Sequence, residues 1–369
     1  MKTFKNTNSS LAPALRYGLR ELIAPVQRAT WGFKGAFGCK PTNVIINITS
    51  SCSMHCLMCG CWRNKAHTQS ELTIDEWKRI ISELRQWAGI FRLTLSGGEP
   101  LMRKDIWELL AYCDTLSLPV VVVTNGALLG RQELSWLHRT RLSQLVISID
   151  SLDASTHDYL RGCPGLLNHI SDTLRRLKRE PRRFVLATNT VISKYNVEEL
   201  GRLARGLAEA GVQRISFQPI QRTSFSQPTL WPYNTDLWPR NQTSIREGFK
   251  ELLSEKKRGT PISHSKNELR EFLAYFEAAD RWKRDRACSA GGTSLHIDAY
   301  GALRFCSLSE NTVGDAIYGN LRSVWEGETA TAHRNNIWRC NCPCLLNCYR
   351  SLPLRSMGQV AHELLTKSR

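Results

Sequence analysis

From residue 44 onward, short runs of β-branched and other apolar residues alternate with longer segments in which apolar residues recur every three or four positions. The runs predict six strands, at 44–49, 91–95, 119–124, 145–150, 184–192 and 214–220. These runs are almost continuously apolar, which is typical of parallel strands that are covered on both faces. The segments between them have the spacing of amphipathic helices.

The clearest helix follows Thr73, because Thr73 and Glu76 form the sequence signature of a capping box. Six strand–helix units within about 180 residues predict an α/β fold, a partial (βα)6 parallel barrel. A complete eight-stranded barrel usually takes about 250 residues. Functional residues of such folds lie on the loops after the C-terminal ends of the strands, so we expect the chemistry there.

The composition divides the chain into four parts. Residues 1–43 are a basic amphipathic lead-in, which we expect to pack on the body or to touch a membrane surface peripherally. Residues 44–222 contain the predicted barrel. Residues 223–287 are a connector, which we expect to complete the barrel wall or to cover its mouth. Residues 288–369 contain six of the 13 cysteines and predict a small, cysteine-rich α+β domain.

The charge and the apolar content restrict the class of protein. The formal net charge is +17 over 369 residues, and a basic surface attracts nucleic acid, anionic lipid or phosphorylated substrates. No signature of an RNA- or DNA-binding module accompanies this charge, so a nucleic-acid partner is disfavoured. There is no secretory signal and no apolar run long enough to span a bilayer, so we expect a cytoplasmic protein with reduced thiols.

The densest group of cysteines follows the first predicted strand. Cys52, Cys56 and Cys59 have the spacing C-x3-C-x2-C and lie on the loop where a barrel carries its active site. Structural zinc takes four ligands, whereas three thiolates suit an iron–sulfur cluster that keeps one iron open for a substrate or cofactor. A zinc site with Cys61 as its fourth ligand is the alternative.

The second predicted strand ends in the sequence SGGEP, which includes Gly97, Gly98, Glu99 and Pro100. Two glycines allow a small ligand to approach the backbone closely. Glu99 then offers a carboxylate to an amine. The motif follows the strand next to the cysteine loop, so both are expected at one end of the barrel.

Together, CSMHCLMC and SGGEP resemble the radical S-adenosylmethionine (SAM) superfamily, and the resemblance covers roughly residues 44–220. It implies that Cys52, Cys56 and Cys59 hold a [4Fe–4S] cluster whose fourth iron binds SAM. In such enzymes the reduced cluster cleaves SAM, and the resulting 5′-deoxyadenosyl radical takes a hydrogen atom from the substrate. An electron donor such as flavodoxin or ferredoxin is then required.

The resemblance implies further SAM contacts at the ends of the next strands. The matching positions are Thr124, Asn125, Ser148, Asp150, Arg161, Asn189 and Val191. Cys163, in the sequence RGCPG, is a candidate catalytic residue that would donate a hydrogen atom or a proton from the barrel mouth. A structural turn residue is the alternative interpretation of Cys163.

The C-terminal cysteines resemble the SPASM/twitch extension of radical SAM enzymes, which carries auxiliary [4Fe–4S] clusters. Cys288 and Cys306 bracket a predicted hairpin, and four more cysteines follow from residue 340. Six cysteines are too few to ligate two clusters fully, so one auxiliary cluster is expected. Its expected ligands are Cys288, Cys306, Cys348 and either Cys342 or Cys344. A zinc ribbon is the alternative, since spacing alone does not separate zinc from iron–sulfur.

The expected function is therefore that of a radical SAM enzyme whose auxiliary cluster assists electron transfer or substrate binding. The positive charge points to an anionic small molecule as substrate. Two alternatives remain open: a SPASM-type maturase of a ribosomal peptide that works with a separate binding partner, and a zinc-binding protein associated with nucleic acid.

Overall fold

A computed structural model describes residues 40–63, 70–221, 235–278, 288, 290–309, 311–340, 342 and 344–346. The amphipathic pattern predicted for the N-terminal lead-in and the predicted ligand Cys348 therefore lie outside the described residues. No helix in the described ranges is long and apolar enough to cross a membrane.

The strands form one nine-stranded sheet in the order β6-β5-β4-β3-β2-β1-β7-β8-β9. The strand bounds are Asn43–Thr49, Arg92–Gly97, Val120–Thr124, Gln144–Ser148, Val185–Ile192, Arg214–Pro219, Ser294–Ile297, Ala302–Arg304 and Gly314–Asp315 for β1 to β9. Strands β1 to β7 pair in parallel, whereas β8 and β9 pair in antiparallel fashion. The first six strands coincide with the six predicted runs to within a few residues, which confirms the predicted α/β fold.

Helices connect the parallel strands. The helix bounds are Ile74–Ala88, Ile106–Thr115, Arg131–Arg139, Ala154–Arg161, Leu166–Arg179, Leu200–Glu209, Gln242–Lys257, Lys266–Glu277, Leu321–Glu326 and Glu328–Trp338 for α1 to α10. The predicted capping box at the start of α1 is present, because Thr73 Oγ1 accepts from Glu76 N and Glu76 Oε2 accepts from Thr73 N at 2.7 Å.

The two faces of the parallel sheet differ in polarity. Residues of the face toward the helices, such as Val44, Leu93 and Phe217, are apolar and fully buried. The opposite, concave face carries a small buried apolar cluster of Val121, Val146 and Ala187, and it also carries polar side chains that are only half-buried. These are Asn47, Ser96, Ser148, Asn189, Ser216 and Gln218. The apolar covering of both faces that the composition predicted is therefore present in part. It holds for the cluster in β3, β4 and β5, while polar side chains line the rest of this face in the barrel interior.

The C-terminal region joins the same sheet. Strand β7 pairs in parallel with β1 over the register Asn43↔Ser294 to Ile46↔Ile297, and it forms the predicted hairpin with β8. On the opposite edge, the segment after α7 runs beside β6, where Ile215 N donates to Pro261 O at 2.9 Å. The connector thus extends the wall at β6, while the C-terminal hairpin extends it at β1.

Candidate active site

The cysteine loop begins at the C-terminal end of β1, and protein contacts on both sides hold it in place. The Glu71 carboxylate accepts hydrogen bonds from Ser50 N at 2.7 Å and from Ser50 Oγ at 2.6 Å. Farther along, Leu57 N donates to Leu160 O at 2.9 Å, at the end of α4. The loop is therefore tied to two elements, and Glu71 is a contributor that no sequence motif identified.

The two glycines of SGGEP serve the packing of this loop. A Cβ atom added to Gly98 would lie 2.0 Å from Ser51 O, and one added to Gly97 would lie 2.3 Å from Thr49 O. In addition, Glu99 N donates to Ser51 O at 2.8 Å. The two glycines were predicted to let a small ligand approach the backbone. In the structure it is the backbone leading into the cysteine loop that approaches them, because the turn at Gly97 and Gly98 after β2 (the β2 turn) packs directly beneath this loop.

The three predicted ligand cysteines lie near one another, since Cys59 acts electrostatically on both Cys52 and Cys56. Cys56 is buried, whereas Cys52 and Cys59 are half-buried. Burial raises the pKa of the Cys56 thiol to about 11, and the Arg161 guanidinium beside it opposes that rise. A bound metal cluster would displace the protons, since thiolates are the ligands of iron–sulfur clusters. Asn125 Nδ2 lies 3.9 Å from Cys52 Sγ, as a weak donor to that thiol.

Cys61 lies in the same group of thiols. It begins a 3₁₀ turn, Cys61–Arg63, in which Trp62 Nε1 donates to Cys56 O at 3.1 Å. The Cys61 thiol is hydrogen-bonded to Cys59. This hydrogen bond is the larger cause that raises the pKa of Cys61, and burial is the second. The zinc alternative, with Cys61 as its fourth ligand, predicted this proximity.

Glu99 is almost completely buried beneath the loop. Its carboxylate accepts from Thr124 Oγ1 at 2.8 Å, Asn125 N at 2.8 Å and Leu101 N at 3.1 Å. Burial raises its pKa, while these donors oppose the rise. A carboxylate has about four acceptor positions, so one position remains for an amine. Thr124 and Asn125 thus donate to Glu99, and the SAM contacts predicted for them stay predictions.

Asp150 and Arg161 form a buried ion pair next to Cys56. Asp150 Oδ2 and Arg161 Nε are 2.7 Å apart, although the N–H is not aligned as a hydrogen bond, and Asp150 Oδ1 accepts from Val191 N at 2.9 Å. His157 Nδ1 accepts from Asp150 N at 3.1 Å. Asp150 thus positions Arg161 and Val191, and the predicted SAM contacts of these three residues stay predictions.

The remaining predicted SAM contacts lie on the concave face. Ser148 pairs in register with Asn189, and Asn189 with Ser216, while Val191 pairs with Gln218. All of them are half-buried. Their position above the sheet, near the cysteine loop, suits a small polar ligand.

Cys163 lies just beyond α4, in a shallow depression that it shares with Tyr159 and Pro164. Its N–H donates to Asp158 O at 3.0 Å, which is a helix-ending contact. The neighbouring Gly162 approaches the backbone of His55, so the turn packs on the cysteine loop. The catalytic role of Cys163 stays a prediction.

A second group of thiols surrounds a cavity of about 280 Å³ in the C-terminal region. The cysteines that line it are Cys288, Cys306, Cys340, Cys342 and Cys344. Cys288 precedes the β7–β8 hairpin and Cys306 follows it, as predicted. Cys344 is buried, with 7% of its surface exposed. Cys340 also lines the cavity, although the predicted ligand set omitted it, because spacing does not show how the chain turns between Cys340 and Cys344.

Both groups of thiols have the donor chemistry of iron–sulfur sites, in which cysteine thiolates are the usual ligands. The first offers three predicted ligands beside a buried carboxylate with an open acceptor position. The second offers five thiols around one cavity. Within the described ranges, no three His, Cys, Asp or Glu side chains are grouped so as to hold a metal ion.

Residues 46–217 match the model of the radical SAM superfamily. This part of the chain belongs to that superfamily. This match implies SAM and a [4Fe–4S] cluster as the cofactors of the 46–217 domain. The C-terminal cysteine region is consistent with the auxiliary cluster of SPASM-type relatives.

Known proteins resemble the chain over different lengths. The AdoMet-dependent heme synthase of Methanosarcina barkeri is 34% identical over 171 residues, which are 46% of this chain and 48% of the relative. The chain thus matches about half the length of that relative. The PqqA peptide cyclase of Granulibacter bethesdensis is 23% identical over 81% of this chain and 77% of its own.

The fold resembles that of SuiB from Streptococcus suis. The structure of SuiB bound to S-adenosylmethionine has a TM-score of 0.62 at 17% identity, and it covers 80% of this chain and 68% of SuiB. The structure of SuiB bound to the precursor peptide SuiA has a TM-score of 0.63 at 16% identity, with coverages of 84% and 69%. At such identities the likeness concerns the fold alone.

Proposed function

We propose that Cys52, Cys56 and Cys59 hold the [4Fe–4S] cluster, and that SAM binds between this cluster and the concave face beside Glu99. The observation that carries the proposal is that three thiols at the end of β1 are near enough to interact electrostatically, and that Cys52 is also near the buried carboxylate of Glu99 after β2. When bound, the cluster and SAM supply a one-electron cleavage that allows hydrogen abstraction from an organic substrate.

The residues of the chain prepare this site. Glu71 and the Gly97–Gly98 turn fix the cysteine loop. Glu99 offers its open acceptor position to the amino group of SAM, and Arg161 neutralises Asp150 beside Cys56. The surrounding sheet holds these side chains in place, since orienting the cofactor is a role of the protein in cofactor enzymes.

The test is anaerobic. The protein is reconstituted with iron and sulfide, reduced and given SAM, and 5′-deoxyadenosine is measured. We expect product from the native chain and none from Cys56→Ala, whereas Cys61→Ala retains most of the activity. Cys113→Ala is the matched control, because Cys113 is a buried thiol in the helix-packed core. Equal loss in Cys61→Ala and Cys56→Ala would contradict the ligand assignment.

For the substrate, a peptide is favoured by one observation. The match to the PqqA peptide cyclase spans 305 residues, so it extends well beyond the 46–217 domain. The concave face also offers uncharged amides and hydroxyls, which suit peptide groups. The basic residues in the last turn of α5, Arg176, Lys178 and Arg179, precede β5 and so lie at the N-terminal ends of the strands, away from the cysteine loop. An anionic small molecule remains the alternative, and the auxiliary cluster would accept an electron from substrate or bind it.

Deuterium transfer distinguishes the two substrate classes. Cells that express the protein are grown in D₂O, and their extract is separated into a peptide fraction and a small anionic fraction. The fraction that yields deuterated 5′-deoxyadenosine contains the substrate. We expect the peptide fraction to do so, and label from the anionic fraction alone would favour the alternative. A zinc-loaded, colourless chain that binds RNA or DNA would instead support the nucleic-acid alternative.

A further inference from the structure

Two glutamine side chains join the last barrel strand to the C-terminal cysteine segment. Gln218 Nε2 donates to Leu345 O at 2.9 Å, and Leu345 N donates to Gln221 Oε1 at 2.9 Å. Gln221 is 9% exposed, and Leu345 is 1% exposed. The backbone of Leu345 is therefore satisfied on both sides by the barrel, directly after Cys344.

The carbonyl held by Gln218 belongs to the same peptide group as the N–H of Leu346. That N–H donates to Cys344 Sγ at 3.5 Å. In a trans peptide the C=O and the N–H point in opposite directions. Because Gln218 donates to the Leu345 carbonyl from the barrel side, the N–H of Leu346 points toward the Cys344 sulfur. Hydrogen bonds that are linked through one peptide group in this way strengthen one another.

Cys344 is one of the five thiols that line the C-terminal cavity. Hydrogen bonds to ligand sulfurs are among the factors that set the reduction potential of iron–sulfur clusters, since they stabilise the more negative, reduced state. The Leu346 N–H is such a donor. Gln218 also pairs in register with Val191 on the concave face, so it lies between the predicted SAM contacts and the cysteine segment.

We propose that Gln218 is a positioning residue for the auxiliary cluster, which orients the Leu345–Leu346 peptide so that its N–H donates to the Cys344 ligand sulfur. The inference rests on the proposed function, because it requires that the C-terminal thiols hold an auxiliary [4Fe–4S] cluster. It makes Cys344 a ligand and raises the reduction potential of that cluster through one hydrogen bond.

The test is a redox titration of the reconstituted holoprotein, followed by electron paramagnetic resonance. SAM is added so that the signal of the barrel cluster shifts away from that of the auxiliary cluster. Gln218→Leu removes the donor, and Gln218→Glu keeps the shape of the side chain without an N–H. Gln213→Leu is the matched control, because Gln213 lies just before β6 and bonds Leu186 N instead.

Both Gln218 variants are expected to move the auxiliary midpoint potential to more negative values. The barrel-cluster potential, the iron content and the Gln213→Leu control are expected to stay unchanged. An unchanged auxiliary potential, an equal shift in the control, or loss of auxiliary iron from both variants would overturn the inference. A native chain without an auxiliary signal would also overturn it, while the response of the barrel cluster to SAM would still test the proposed function.

Discussion

His157 shows how single buried side chains support the site without belonging to a motif. It is fully buried, and its Nδ1 accepts from Asp150 N, so the ring is neutral in the folded chain. Burial lowers its pKa to about 4. Because Asp150 also pairs with Arg161 beside Cys56, the neutral ring helps to fix the buried ion pair.

This pKa predicts a loss of stability in acid. The folded chain binds fewer protons at His157 than the unfolded chain between pH 6.5 and pH 4, so the free energy of unfolding falls as the pH falls through that range. From pH 7 to pH 5 the contribution is about 2 kcal/mol. Urea unfolding at the two pH values measures it. His157→Gln keeps an acceptor for Asp150 N and is expected to lose about 2 kcal/mol less than the native chain, whereas equal losses would contradict the assignment.

At the scale of elements, the β2 turn and the cysteine loop are packed backbone against backbone. Since a Cβ on Gly98 would lie 2.0 Å from Ser51 O, no side chain fits there unless the loop moves. The loop carries Cys52 immediately after Ser51. A substitution in the turn after β2 is therefore expected to disturb the cluster that the loop after β1 holds.

Gly98→Ala is accordingly expected to lower the iron bound at the barrel site several-fold after reconstitution, as measured by iron analysis and by the loss of the SAM-dependent spectral change. Gly259→Ala is the control. Gly259 has a positive φ of 92°, so alanine is strained there, but no atom lies within 4 Å of its added Cβ. Normal iron content in Gly98→Ala, or an equal loss in the control, would show that the packing does not position the ligands.

The elements that could be predicted from sequence are those set by local patterns. The six strands and the Thr73 capping box depend on neighbouring residues, and the cysteine loop follows from its strand. On the concave face, Ser148 and Asn189 were predicted as SAM contacts from the resemblance, whereas Asn47 was missed, although its alternation with Ile46 and Ile48 in β1 carries the signal. The contact between Gln218 and Leu345 joins residues 127 positions apart, so no local pattern encodes it.

At the scale of the whole molecule, both groups of thiols depend on one sheet. Strand β1 leads into the cysteine loop and pairs with β7, whose hairpin precedes Cys306. At the other edge, β6 holds the segment after Cys344 through Gln218. The C-terminal cysteines are thus anchored at both edges of the first six strands.

The most direct test of this account is a Mössbauer spectrum of protein reconstituted with ⁵⁷Fe, recorded with and without SAM. The account predicts about eight irons per chain in two [4Fe–4S] clusters. SAM is expected to change the signal of one iron in the barrel cluster and to leave the auxiliary cluster unchanged. A spectrum that SAM does not alter, or a colourless chain that binds zinc in place of iron, would contradict the assignment of Cys52, Cys56 and Cys59 as the SAM-binding cluster site.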